Sequence, residues 1–176
     1  MSAPTAPAPA DAGAPGSTGP ADVPEGFKPL DAGGPYLRAM GPLYARRADN
    51  GTAVIAVRVA PGHLNVQGVT HGGMLTTLAD GALGINVAIA RGRRGGHVTV
   101  SLNADFLSGA REGEWLEAHV SITRMGKRLC YANCDLRVGE RHVLRASAVF
   151  AFVERPLPPT ITGGPPLVDG WGPRRG

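Results

Sequence analysis

The longest coherent hydrophobic pattern in the chain runs from Met74 to Ile89. Met74, Leu75, Leu78, Ala82, Ile85 and Ile89 recur at three- and four-residue steps with few polar residues between them. This spacing predicts one long helix that other elements must wrap. Downstream the period changes to two. Segments His97–Leu107, Glu114–Arg124, Arg128–Val138 and Val143–Phe152 alternate as strands do, and Val98, Val100, Leu102, Ala104 and Phe106 are expected on one face of the first, opposite Thr99, Ser101, Asn103 and Asp105. The breaks at Ser108–Gly113, Met125–Lys127 and Gly139–Glu140 are short enough for hairpins, which predicts four consecutive antiparallel strands. Upstream, Thr52–Val59 is a β-branched strand ended by Ala60-Pro61-Gly62, and residues 36–47 read as a short amphipathic helix or turn. One helix followed by a sheet with matching apolar faces predicts an α+β domain, the sheet curled around the helix.

Proline placement bounds that domain. Of 16 prolines, seven fall in residues 1–30 and six in 154–176. Both stretches are short of large apolar side chains and are expected to be tails, leaving a domain of ordinary size over residues 31–153. The first 30 residues carry no basic start followed by an apolar stretch, and no apolar run is long enough to cross a bilayer, so a cytoplasmic protein without membrane attachment is expected. Cys130 and Cys134 lie on one face of an alternating segment and are expected as buried thiols. The five histidines are scattered without ligand spacing, so no metal site is expected.

The net charge of +4 divides into −2 for residues 1–30, +1 for residues 154–176 and +5 for the core. Basic residues gather at Arg91, Arg93 and Arg94 and at Arg124, Lys127 and Arg128. With aromatics at 5% and no binding motif, nucleic-acid recognition is a poor fit, and an anionic small ligand suits the charge better.

The chemistry concentrates where the long helix begins. Thr70 or His71 can cap it, and Gly72 and Gly73 let another group approach N–H donors that have no partner inside the helix. Such an end stabilises a carbonyl oxygen that gains negative charge during acyl transfer. Asp80 lies in a strongly apolar stretch where an unpaired carboxylate is costly, so it is expected to be buried, either satisfied structurally or acting as base or nucleophile. Eight residues separate Gly72 from Asp80, about 12 Å along one helix. If both serve one carbonyl, the simplest arrangement sets two such helices antiparallel, Gly72 of one chain facing Asp80 of the other, with two equivalent sites by twofold symmetry.

These residues and their order resemble the hotdog fold, and within it the PaaI-like thioesterases. The resemblance covers about residues 36–153. It rests on the pattern Asn65-x₂-Gly68-x₂-His71-Gly72-Gly73-x₆-Asp80, on the Val98–Leu107 strand and on the Arg124-Met-Gly-Lys-Arg128 turn. It implies an antiparallel sheet wrapped around a central helix, and hydrolysis of an acyl-CoA in a site shared by two protomers of a homodimer or dimer of dimers. It assigns the Gly72 N–H to the thioester carbonyl, Asn65 to the carbonyl or the attacking water, His71 to the turn or the thioester, and Asp80 of the partner to activating water or attacking directly. Thr99 falls where some relatives carry a hydroxyl that positions water. Arg94, Arg124, Lys127 and Arg128 are candidates for the coenzyme A phosphates; coenzyme A is part of the substrate, and no cofactor is implied. The alternatives are a non-catalytic acyl-CoA-binding module on the same fold, which has no need of a buried acid at position 80, and a hotdog dehydratase, which would show a different His/Asp arrangement.

Overall fold

The structure is a computed structural model and describes residues 23–92 and 96–153. Seven strands form one antiparallel sheet: β1 (Lys28–Leu30), β2 (Leu43–Arg47), β3 (Ala53–Arg58), β4 (Gly96–Phe106), β5 (Trp115–Met125), β6 (Leu129–Val138) and β7 (Arg141–Val153). Their spatial order is β1-β2-β3-β5-β6-β7-β4. Among the described residues two α-helices accompany them, α1 (Gly34–Arg38) and α2 (Gly72–Ala90).

The apolar stripe of α2 does what its spacing demands. Leu75, Leu78, Ala79, Ala82, Leu83 and Val87 pack into one cluster with the inward side chains of the sheet, among them Ile55, Leu116, Cys134, Leu136, Leu144 and Phe150. Apolar enough and, at 19 residues, long enough to cross a bilayer, α2 is instead wrapped by the sheet; the expectation that no apolar run reaches spanning length is corrected on that point. A single polar side chain inside the cluster positions this helix. Asn86 is 1% exposed, accepts from the Ala53 N–H at 2.6 Å, and donates to the carbonyls of Ala53 and Ala82 at 2.9 Å each. Cys130 and Cys134 are buried, unbridged thiols, and burial pushes the Cys134 thiol well above its usual range.

A smaller cluster forms on the outer face of the sheet. Val54 and Ala56 alternate with the inward Ile55 and Val57 and meet Phe27, Tyr44 and Trp115 there. Phe27 and Tyr44 rings stand 5.2 Å from that of Trp115, with Arg58 over the indole at 4.9 Å. This explains one departure from the sequence reading. Residues 28–30, expected within the tail, form β1 because Phe27 and Leu30 are buried on either side of the sheet's first edge. Residues 1–22 and the expected tail at 154–176 lie outside the described residues.

Two further expectations are corrected. Only the start of residues 36–47 is helical; Pro42 ends that turn and Leu43–Arg47 pairs with β3 as β2. Ser108–Gly113 is no hairpin. β4 pairs with β7 and β5 with β3, so the loop carries the chain from one edge strand across to the interior of the sheet. Thr70 holds that loop in place, its N–H donating to the Ala110 carbonyl at 2.8 Å and its hydroxyl accepting from the Ala110 N–H at 3.1 Å.

Candidate active site

The helix start is built by a tightly bonded loop. The 3₁₀ turn Pro61–His63 leads into Asn65–Val69, where the Asn65 side-chain oxygen accepts from the Gln67 N–H at 2.8 Å and the Val69 N–H at 3.4 Å. Asn65 therefore shapes its own loop through its oxygen, which leaves the amide NH₂ for a ligand. His71 is the N-cap: its Nδ1 accepts from the Gly73 N–H at 2.9 Å, which places the ring proton on Nε2. A Cβ on Gly73 would sit 3.0 Å from that Nδ1, so glycine admits the cap. The Gly72 N–H has no acceptor among the described residues. The ring of Phe106 lies against Gly72, 3.1 Å from where a Cβ would stand.

His63 ties this loop to the rest of the site, a role the sequence reading missed. Its carbonyl accepts from the His71 N–H at 2.8 Å, its Nδ1 accepts from the Ala60 N–H at 3.0 Å, and its Nε2 therefore donates to the Met40 carbonyl at 2.6 Å. The imidazole is thus a strut between the helix start and the chain just after α1. In the sequence its trace is a histidine directly after Pro61-Gly62.

Asp80 lies two turns further along α2, half-buried rather than buried as expected, because it faces an opening. That opening is a pocket of about 400 Å³ between α2, α1 and β4. Thr76, Thr77 and Gly81 line it from α2, Tyr36 and Leu37 from α1, and Thr99 and Leu102 from β4. The Thr99 hydroxyl donates to Asp80 Oδ1 at 2.8 Å. This contact depends on a bulge. Thr99 pairs with Phe150 and Ser101 with Val149, so Val100 has no partner and the alternation shifts by one. Thr99, expected on the face opposite Leu102, thereby joins Leu102 on the face toward α2. His97, on that face too, has its ring centroid 5.5 Å from that of Phe150. Burial and the Arg91 cation hold its pKa below the ordinary 6.5, against the pull of Asp80.

Gly72 and Asp80 belong to one uninterrupted helix, which keeps them about 12 Å apart in a single subunit. Asp80 and Thr99 are brought together; Asn65, His71 and Gly72 form a separate group at the helix start. Among the described residues β4, carrying Thr99, is the edge strand beside β7 and has no partner on its other side, with Val98, Val100 and Phe106 exposed. Lys127 and Arg128 occupy the β5–β6 turn and Arg124 the end of β5. The Arg128 carbonyl accepts from the Phe152 N–H at 2.9 Å, and Phe152 pairs with His97, so this basic turn lies at the same end of the sheet as Thr99. Arg91 stacks 3.8 Å over the Phe152 ring there. Arg94 lies outside the described residues.

Comparison with known proteins gives a consistent picture. Residues 67–144 match the thioesterase superfamily. An esterase candidate of Pseudomonas aeruginosa is 43% identical over 129 residues, covering 73% of this chain and 96% of that protein. Human acyl-coenzyme A thioesterase 13 is 27% identical over 101 residues, 57% of this chain and 71% of that protein. Among solved structures, a variant of the phenylacetic acid degradation protein PaaI from Thermus thermophilus aligns with a TM-score of 0.59 at 26% identity, covering 68% of this chain and 100% of that one.

Proposed function

As a member of the PaaI-like hotdog thioesterases, the chain is a thioester hydrolase, and we propose that it cleaves an acyl-CoA in a site assembled from two copies of itself. The observation that carries this reading is the Asp80 carboxylate, held by Thr99 in an open pocket while the unpaired Gly72 N–H lies two helical turns away. One subunit supplies the acid and the other the oxyanion donor. The bare edge of β4 and its exposed valines favour a seam along that strand, which brings a second α2 alongside the first.

In this site the Gly72 N–H, at the positive end of the helix, binds the thioester oxygen and stabilises the charge that develops on it. The free amide of Asn65 donates to the carbonyl or to the incoming water. His71 fixes the turn through Nδ1 and presents Nε2–H toward the thioester. The partner's Asp80 takes a proton from water as the water oxygen bonds to the carbonyl carbon; the tetrahedral oxyanion then collapses, the C–S bond breaks, and the thiolate leaves with the proton. In direct attack the carboxylate oxygen bonds to the carbonyl carbon as the C–S bond breaks and the coenzyme A thiolate leaves, giving a mixed anhydride that water then opens to the free acid and the restored carboxylate; it uses the same residue. Thr99 orients the carboxylate and the water beside it. Arg124, Lys127 and Arg128, with Arg94, offer cations to the coenzyme A phosphates.

Thiol release from a panel of acyl-CoAs tests the reading, with Asp80→Asn as the decisive variant. Turnover is expected to fall by about 10²–10⁴ while the fold and acyl-CoA affinity persist. Parent-level hydrolysis by that variant rules Asp80 out as base or nucleophile, and a parent that binds acyl-CoA without releasing thiol makes the protein a binding module.

A further inference from the structure

The pocket around Asp80 has one wall that the hydrolytic chemistry does not use. α1 is five residues long and is launched by Gly33 and Gly34, both at positive φ (85° and 77°), with Pro35 in its first turn. That launch points Leu37 down onto α2, where it is 5% exposed, while its neighbour Tyr36 remains 76% exposed at the mouth of the pocket. Leu37 rests on Gly81, the residue directly after Asp80. A Cβ at position 81 would stand 2.8 and 2.9 Å from the two δ-carbons of Leu37, so only a glycine admits the leucine this close to the helix backbone. Met40, just beyond α1, is fastened by the His63 imidazole to the turn that carries His71. The wall and the helix start are therefore held at a fixed separation.

A thioester carbonyl that Asp80 serves must sit on the polar side of the pocket, among Asp80 and Thr99. Leu37 and Leu102 are the aliphatic side chains that line this pocket, so an acyl group that extends away from the polar side runs against them, and the δ-carbons of Leu37 are seated on Gly81. We infer that Leu37, seated on the bare backbone of Gly81, is the specificity-determining residue that closes the acyl end of the pocket, with Tyr36 as its outer cover, so that the site is filled by compact acyl groups and gains nothing from longer chains. This rests on the thioesterase reading for the position of the carbonyl.

The test measures binding of non-hydrolysable S-alkyl-CoA thioethers, butyl through dodecyl, by calorimetry, alongside hydrolysis of the matching acyl-CoAs. In the parent, affinity is expected to rise about fourfold per added methylene and then stop once the pocket is full. In Leu37→Ala the rise continues for at least two more methylenes, so the longer thioethers gain about tenfold or more over the parent while the butyl compound changes little. Leu37→Val, which keeps most of the packing on Gly81, moves the plateau by about one methylene, and Tyr36→Ala, at an exposed position, relaxes the preference without lowering Tm. A plateau at the same length in the parent and in a folded Leu37 variant overturns the assignment, as does affinity in the parent that never depends on alkyl length. Length-dependent binding without thiol release leaves this assignment standing and removes the hydrolytic one. Hydrolysis with an unchanged length profile in every variant does the reverse.

Discussion

β3 and β4 are both valine-rich strands of the same sheet, and α2 packs against both, yet they live in opposite surroundings. β3 is sealed on two faces: Ile55 and Val57 turn into the main cluster, and Val54 and Ala56 are covered by the aromatic group of Phe27, Tyr44 and Trp115. Neighbours on both sides satisfy its backbone. β4 has a neighbour on one side, a bulge at Val100, and apolar side chains open to solvent. The difference separates stability from use. Residues of β3 hold the chain folded, whereas β4 brings Thr99 to Asp80 and keeps an edge available for a second copy.

The largest effects come from placing one charge in each strand. Val57→Lys buries an ammonium with no partner and is expected to cost about 4 kcal/mol or more, a large share of the roughly 5–15 kcal/mol that holds an ordinary domain folded; thermal melts check it. Val100→Lys should leave the melt nearly intact. It is expected instead to halve the particle mass seen by light scattering and abolish turnover together with it. An active monomer would contradict a shared site.

Next in size is Thr99→Val, which keeps the shape of β4 and removes the hydroxyl bound to Asp80. Hydrogen bonds to charged groups contribute about 1.5–3 kcal/mol, so kcat should fall by roughly ten- to a hundredfold with KM little moved, as steady-state kinetics would show. Asn86→Ala strikes where β3 meets α2 and strands the buried Ala53 N–H and carbonyl. A loss of about 1–3 kcal/mol in denaturant titrations is expected.

The smallest effect is a pH dependence at the start of β4. Because folding lowers the pKa of His97, the unfolded chain binds more protons below about pH 6.5, and stability decreases as the pH falls from there through the lower folded value. Above that window the contribution is constant. His97→Gln, which cannot charge, should flatten that part of the pH–stability curve.

Much of this was legible in sequence, and the exceptions have specific causes. The stripe from Met74 to Ile89 sets α2, and alternation holds over most of β5, β6 and β7, broken only where Thr123 and Val143 are skipped in the pairing. His71 caps the helix because its imidazole reaches the Gly73 N–H, as its place before two glycines allows. The bulge at Val100 is different: one unpaired residue leaves no mark on a two-residue period, so the face of Thr99 was misassigned. The crossing from β4 to β5 was hidden too, since a loop of that length closes a hairpin equally well, and the Thr70–Ala110 bonds together with those of Val59 to Gly113 and Glu114 hold the crossing instead. Asp80 is half-exposed because the pocket it faces is made by α1, whose approach depends on Leu37 fitting a glycine 44 residues away. The strut made by His63 depends on a similar long-range meeting.

Asn86 has one more implication. A helix rotated by a single residue swings every side chain by about 100°, and an otherwise greasy cylinder has little to oppose such a slip. The amide, locked to Ala53, acts as a locating pin. It lies about 9 Å up the axis from Asp80, buried and outside the lining of the pocket that Asp80 faces. The axial setting of the acid is thus fixed remotely, and the apolar lining of its chamber, Thr99 apart, can be rewritten for other acyl groups without turning the helix.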